Sequence, residues 1–304
     1  MKQSETVVIL VTYHPTQRTE QLIRSMSEAN EEIIIVDNGS GSNDVLNQIN
    51  AQQVTLIRLK ENKGLAYAQN EGIKEAKKQG KKGLFFFDQD SEIDQNFFNQ
   101  MVDEYNRLLK DYNIGILAPN LYDRNLKEYG RYAKLTPTGY ETVHTIQEAT
   151  RVDFVVSSAS FMPMDVFLDE EGRLQRYVDE FFIDQVDTEW SLRLKRKGKD
   201  IVVTPRVIFK HTIGERTEHH LLHLTVRPNH HGPLRKFYIV RNGLKCVEWY
   251  GKEFPGFKKL MYHRLIHDLL GVIFYEDNKW IKLKAMWAGF INSNKDIREW
   301  CSNE

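Results

Sequence analysis

Asp88-Gln89-Asp90 follows three consecutive phenylalanines, Phe85, Phe86 and Phe87. Two carboxylates spaced i, i+2 at the end of an apolar run can hold one hard divalent cation and, through it, a diphosphate. Taken alone, the tripeptide also reads as a polar turn with a helix cap. Asp37-Asn38-Gly39-Ser40 forms a second polar cluster. All four residue types favour turns, yet an Asp at a strand end can also bind a ribose or a base edge. Asp184, Asp187 and Glu189 form a third cluster, read either as acids favoured by a helix N-terminus or as a general base in a cleft. His211 follows a short apolar segment and is a candidate metal ligand. His219, His220, His223, His230 and His231 include an i, i+4 pair, but the H-E-x-x-H pattern of a zinc site is missing. No G-x-G-x-x-G follows the first apolar run, where Tyr13-His14-Pro15 stands, and no G-x-x-x-x-G-K-[ST] occurs. Dinucleotide and P-loop readings therefore fail.

These clusters need elements to position them. Residues 7–12, 33–36, 54–59, 84–87 and 114–118 are short apolar or β-branched runs that read as strands. Between them, apolar residues recur at helical spacing: Leu22, Ile23 and Met26; Val45 and Ile49; Leu65, Ile73 and Ala76 before Gly80; Phe97, Met101, Tyr105 and Leu108. Near-continuous apolar strands alternating with helices predict an α/β fold with a parallel sheet covered on both faces. Ligands of such sheets bind beyond the carboxyl ends of the strands, which selects Thr12-Tyr13, Asp37-Asn38 and Asp88-Gln89-Asp90. Residues 121–150 lose the pattern and read as a polar, Tyr-rich loop or short strands. A strand is expected at 152–156, a helix at 184–198 and two short strands at 201–204 and 207–210. Residues 212–233 read as a mobile loop, and the remainder as helical and aromatic.

The chain has 304 residues, 41% apolar and 28% charged, with 42 basic and 42 acidic side chains. This suits one large globular domain or two modest ones and excludes global disorder. No apolar run approaches the roughly 18 residues of a membrane-spanning helix. The polar opening Met1-Lys2-Gln3-Ser4-Glu5 carries no signal-peptide pattern. Cys246 and Cys301 are the only cysteines, which excludes a disulfide framework and points to a reducing, cytoplasmic compartment. Residues 1–204 carry 25 basic and 32 acidic side chains, net −7, whereas residues 205–304 carry 17 and 10, net +7. A basic C-terminal third fits a phosphate-bearing substrate, a membrane surface or a solvated helix face. No nucleic-acid-binding motif accompanies the charge, so no nucleic acid partner is expected. In residues 258–274, Leu260, Met261, Leu265, Ile266, Leu269, Leu270 and Ile273 form a broad apolar stripe. It reads as a helix packed on its own domain, a homodimer interface or a peripheral contact with the cytoplasmic face of a membrane.

The ordered set is more specific than any member. Residues 7–15 and 33–40, the Asn62-Lys63-Gly64…Asn70-Glu71-Gly72 helix, Phe87-Asp88-Gln89-Asp90-Ser91 and residues 181–198 resemble, over most of the chain, inverting family 2 glycosyltransferases. The Thr-Tyr-His-Pro opening, the Asp-Gln-Asp-Ser motif and Phe237-Tyr238-Ile239-Val240-Arg241-Asn242 are most similar to bacterial rhamnosyltransferases of surface polysaccharide synthesis. This resemblance implies the GT-A fold, a Rossmann-like, mostly parallel sheet with helices on both faces, over residues 1–212. Residues 1–120 would form the nucleotide-binding half and 121–212 the acceptor half, followed by a loop and helical extension at 213–304.

The implied reaction is metal-dependent, inverting transfer of L-rhamnose from dTDP-β-L-rhamnose to a hydroxyl of a glycan or polyprenyl-diphosphate-linked acceptor. A UDP-sugar donor is the alternative, and a catalytically silent nucleotide-sugar-binding scaffold the non-enzymatic one. By the same resemblance, Thr12 and Tyr13 would line the base pocket, with Asp37 and Asn38 near base or ribose. Lys63, Gly64 and Gln89 would complete the donor site, and Arg241 would assist the diphosphate. Asp88, Asp90 and His211 would hold Mg²⁺ or Mn²⁺, and Asp187, before Trp190-Ser191-Leu192-Arg193, matches the catalytic base. Two residues depart from the family pattern. Val186 stands where an acid usually precedes the base, and Ser158-Ala159-Ser160 replaces Ser-Gly-Ser, so Ala159 is expected to narrow the acceptor side.

Overall fold

The computed structural model of the chain describes residues 1–29, 31–47, 49, 53–125, 127–211, 219–221 and 224–294. His223 and Cys301 lie outside the described residues, as do the side chains of His211, His219 and His220. The first part alternates as the sequence predicts: β1 (Thr6–Thr12), α1 (Gln17–Glu28), β2 (Ile33–Asp37), α2 (Asp44–Asn47), β3 (Val54–Arg58), α3 (Leu65–Lys78), β4 (Gly83–Asp88), α4 (Phe97–Leu108) and β5 (Ile114–Asp123). Short strands follow: β6 (Glu128–Tyr129), β7 (Tyr132–Thr136), β8 (Gly139–Val143), β9 (Thr150–Val152) and β10 (Phe161–Pro163). Then come α5 (Val186–Arg196), β11 (Asp200–His211), the hairpin β12 (His219–Leu221) and β13 (Leu224–Val226), and three helices. These are α6 (Pro233–Tyr250), α7 (Pro255–Phe274) and α8 (Lys279–Asn292).

The main sheet runs β3-β2-β1-β4-β10-β5-β11-β9, with β6 on β5. Strands β3, β2, β1 and β4 pair in parallel, as do β5 and β11. Successive side chains of a strand point to opposite faces, so each buried strand feeds two cores. Val7, Ile9, Leu84 and Phe86 pack on one face with Ile73 and Ala76 of α3 and Trp190 and Leu194 of α5. Val8, Leu10, Phe85 and Phe87 pack on the other with Leu22 and Met26 of α1 and Phe98 and Met101 of α4. The consecutive phenylalanines are thus shared between two layers. This is the mixed α/β, mostly parallel architecture of the GT-A fold with a helical C-terminal region.

Three local expectations change. The strand expected at 152–156 stops at Val152, because Asp153 leaves the ladder to pair with Lys195 and the Leu135 amide. The strands expected at 201–204 and 207–210 are one, β11, with a register shift between Thr204 and Ile208. Pro205 lies inside that shift, where its missing N–H removes a ladder bond. Between β4 and β5 sits β10, antiparallel to both and too short to leave a periodic pattern.

The C-terminal helices pack on the α/β part of the chain. Cys246 and Tyr250 of α6 and Phe257, Leu260 and Met261 of α7 join the core beneath α3 and α5. Lys236 donates to Asp268 at 2.6 Å and to Glu276 at 2.8 Å, and Lys282 donates to Glu276 at 2.7 Å. All four groups are buried, so losing one partner of this network, which ties α6, α7 and α8 together, would leave a buried charge uncompensated. The apolar stripe of α7 divides: Leu260 and Met261 face inward, whereas Ile266, Leu269 and Ile273 are exposed. Among the described residues, no helix is long and apolar enough to cross a membrane.

Candidate active site

The register of the parallel strands sets Thr12 opposite Asp37 and Val11 opposite Asp88, so two carboxylates flank the carboxyl end of β1. Asp37 is buried and accepts hydrogen bonds from the Ser40 hydroxyl, from the Ser40 amide at 3.3 Å and, at a longer 3.4 Å, from Thr12 Oγ1. Gln89 closes the other side of β1: its Oε1 accepts from the Tyr13 amide at 2.9 Å, and its Nε2 donates to the Tyr13 carbonyl at 3.0 Å. The His14 amide donates to Ser40 Oγ at 2.8 Å. Tyr13 itself is exposed beyond the strand end, its ring 4.1 Å from that of His14.

Asn38 and Asn62 join the β2 exit to the start of α3. Asn38 Nδ2 donates to Asn62 Oδ1 at 2.9 Å, and Asn38 Oδ1 accepts from the Lys63 amide at 2.9 Å. Asn62 Oδ1 also accepts from the Gly64 amide at 3.0 Å. Two glycines are required by close approach. At Gly39, with φ of 82°, a Cβ would lie 2.3 Å from the Glu61 carbonyl carbon. At Gly64, with φ of 89°, it would lie 2.6 Å from Phe182 Cα. The Lys63 ammonium is exposed and pairs with Glu61.

The segment 181–187 therefore crosses directly over the α3 N-terminus, and the Phe182 carbonyl accepts from the Leu65 amide at 2.5 Å. Phe182, Asp184 and Gln185 all have positive φ, a costly conformation for residues with a Cβ that persists only where the surroundings enforce it. Helix α6 supplies the enforcement. Asn242 Nδ2 donates to the carbonyls of Phe181, Ile183 and Asp184, each at 2.9 Å. Arg241, buried, donates to the Glu180 carbonyl and to Asn242 Oδ1. Tyr238 stacks on Phe182 with centroids 5.2 Å apart, and Arg235 grips Asp184 through two bonds of 2.5 and 3.1 Å. The sequence reading sets Arg241 on the diphosphate. In the structure its guanidinium holds the loop that precedes Asp187, a segment about 60 positions away along the chain.

The three acids of the cluster differ in their partners. Glu189 is buried and takes two bonds from Arg193, at 3.0 and 2.6 Å, and one from the Tyr250 hydroxyl at 2.6 Å. Asp184 is held by Arg235. Asp187 is half-buried in the first turn of α5; it accepts from the amide and hydroxyl of Ser157, and its Oδ1 has no hydrogen-bond partner. Burial, then the nearby Asp88 and Asp184 carboxylates, push its pKa up to about 6 against the lowering effect of Ser157. Ser158 of the same turn accepts from the Asp88 amide at 3.2 Å and lies 3.2 Å from Ser91 Oγ, which links the β4 exit to the base side.

Ala159 does not narrow the acceptor side: it is fully buried in the core shared with Phe85 and Phe161, at φ of 64°. Val186, in place of the acid, is likewise buried in the opposite core. Asp88 is half-buried and Asp90 exposed, both at the β4 exit. The backbone of His211 ends β11 opposite Asp123. Among the described residues no group of three or more His, Cys, Asp or Glu could enclose a metal ion. Two carboxylates still suit Mg²⁺ or Mn²⁺ held in part by substrate phosphates and water, since such ions take few protein ligands. Ser157, Arg235 and the clamping role of Asn242 escape sequence reasoning, because no local pattern marks them.

A model of glycosyl transferase family 2 matches residues 7–169. A curated relative, the dTDP-rhamnosyl transferase RfbF of Shigella flexneri, is 29% identical over 243 residues, covering 79% of this chain and 78% of the relative. Among solved structures, that of mannose-1-phosphate geranyltransferase from Thermus thermophilus aligns with a TM-score of 0.41 at 12% identity, over 67% of this chain and 75% of that one.

Proposed function

This chain belongs to glycosyl transferase family 2, and from that membership we propose that it transfers L-rhamnose from dTDP-β-L-rhamnose to an acceptor hydroxyl with inversion. The acceptor is a hydroxyl of a growing surface glycan or of a polyprenyl-diphosphate-linked sugar. The observation that carries the reaction type is Asp187: one carboxylate oxygen without a partner, raised toward neutrality by burial and by Asp88 of the β4 exit. The donor assignment is supported by the similarity to a dTDP-rhamnosyl transferase.

Asp187 accepts the acceptor's proton as the acceptor oxygen attacks the anomeric carbon and the bond to the diphosphate oxygen breaks on the opposite face. Asp37, Asn38, Thr12 and Tyr13 hold the nucleoside at the β1 and β2 exits, and Gln89 fixes the peptide of Tyr13 against which it rests. Asp88 and Asp90 would hold a divalent cation, which supplies charge neutralisation for the departing diphosphate. Arg241 and Asn242 act as positioning residues by fixing the loop that orients Asp187.

A donor panel tests the assignment. Release of nucleoside diphosphate is expected with dTDP-L-rhamnose and Mg²⁺ or Mn²⁺, and little with dTDP-glucose, UDP-glucose or GDP-mannose. Faster turnover of a UDP-sugar would replace the donor. The clamp has its own expected result. Asn242→Ala strips three loop carbonyls of their donor, so the base is misplaced and kcat falls by about 10²-fold. Donor affinity, measured by calorimetry, is expected to hold, because the strand exits that bind the nucleoside are untouched.

A further inference from the structure

The C-terminal helices present apolar side chains to solvent on two stripes. On α7, Tyr262, Ile266, Leu269 and Ile273 follow one another at steps of four, three and four and so share a face; they are 41%, 55%, 37% and 38% exposed. On α8, Trp280 and Trp287 share the outer face at 79% and 63% exposure. Residues 275–278 join the two helices directly.

Charge says what this surface fits. Lys258 opens the α7 stripe one turn before Tyr262, and Lys284 stands between the two tryptophans on the α8 face; both are exposed, as is Lys279. Helix α8 contains no acidic residue, and the one acid of α7, Asp268, is buried against Lys236. Indole rings flanked by lysines suit the headgroup region of a bilayer, where the ring is half-desolvated and the ammonium meets anionic lipid. A second copy of the chain is disfavoured by the same charges. A two-fold axis would set these lysines against their own mates, with Asp277 of the connecting turn the one exposed acid of residues 255–292 to pair with them.

We propose that the outer faces of α7 and α8 dock the protein on an anionic lipid surface, lying in the headgroup region rather than crossing it. No described helix is long and apolar enough to cross the bilayer, and buried Lys236–Asp268 and Lys282–Glu276 pairs hold the inner sides of both helices to the protein. The inference does not depend on the donor sugar.

Co-sedimentation of the full chain with vesicles tests it. Binding is expected to phosphatidylglycerol-containing vesicles at low salt, with a blue shift of tryptophan emission, and not to pure phosphatidylcholine. At about 1 M salt, where the Debye length falls to roughly 3 Å, binding should weaken several-fold. The double variant Lys279→Glu/Lys284→Glu is expected to weaken binding by about tenfold or more. Trp280→Ala/Trp287→Ala should do the same without changing thermal stability, since both rings are exposed. Failure to bind anionic vesicles at low salt overturns the proposal. So does equal binding to neutral vesicles, or a dimer in sedimentation equilibrium that the tryptophan variant dissociates.

Discussion

Asp187→Asn is expected to keep the fold and donor affinity while cutting turnover by about 10²–10⁴-fold. The amide preserves shape and can still accept from the Ser157 amide and hydroxyl, but it cannot take a proton. Glu189→Gln serves as the control. It breaks a buried pair with Arg193 and a bond from Tyr250, so its effect should appear as lost thermal stability rather than as a specific loss of turnover. An active Asp187→Asn enzyme would remove this residue from the mechanism. The pH profile gives an independent reading. Burial, reinforced by Asp88 and Asp184, raises the Asp187 pKa to about 6, and only the deprotonated form accepts a proton. Therefore kcat/KM should fall as pH drops through about 6 and level off above it. A cation bound at Asp88 cancels part of the raising effect, so higher metal concentration should move the acid limb to lower pH. A flat profile from about pH 5 to 8 would contradict the assignment.

Asp90→Ala, like removal of divalent cations with EDTA, is expected to lower turnover by on the order of 10²–10³-fold, equivalent to several kcal/mol of transition-state stabilisation. The reason lies in the small ligand set. With two carboxylates at the β4 exit and no enclosing cluster among the described residues, loss of either leaves the cation held mainly by the substrate. Asp90 is exposed, so the melting temperature should stay close to that of the parent chain. Calorimetric titration with Mn²⁺ in the presence of dTDP should lose its heat in Asp90→Ala. Full activity in excess EDTA, or unchanged turnover of the variant, would rule out the metal role.

The amino-acid sequence by itself determined the layered α/β fold and pointed to the strand exits as its candidate site. Both follow from local periodicity: strands apolar on both faces, such as residues 33–36, need helices above and below, and the polar residues that end them collect at one edge. Asp37, Asp88, Asp90 and Asp187 were legible for that reason, each standing at a strand exit or a helix start. Only the tertiary structure decided among the acids of residues 184–189. Arg235, Arg193 and Tyr250 close Asp184 and Glu189 and leave one oxygen of Asp187 without a partner. It also showed Arg241 holding the loop before Asp187 and Ala159 buried in the core. It divided the α7 stripe into an inner and an outer set as well. The physical reason is the same in each case. A side chain's hydrogen-bond partner and burial depend on residues that folding brings in from far along the chain, as α6 is brought to segment 180–184. Hydrophobic periodicity reports only the neighbours three or four positions away.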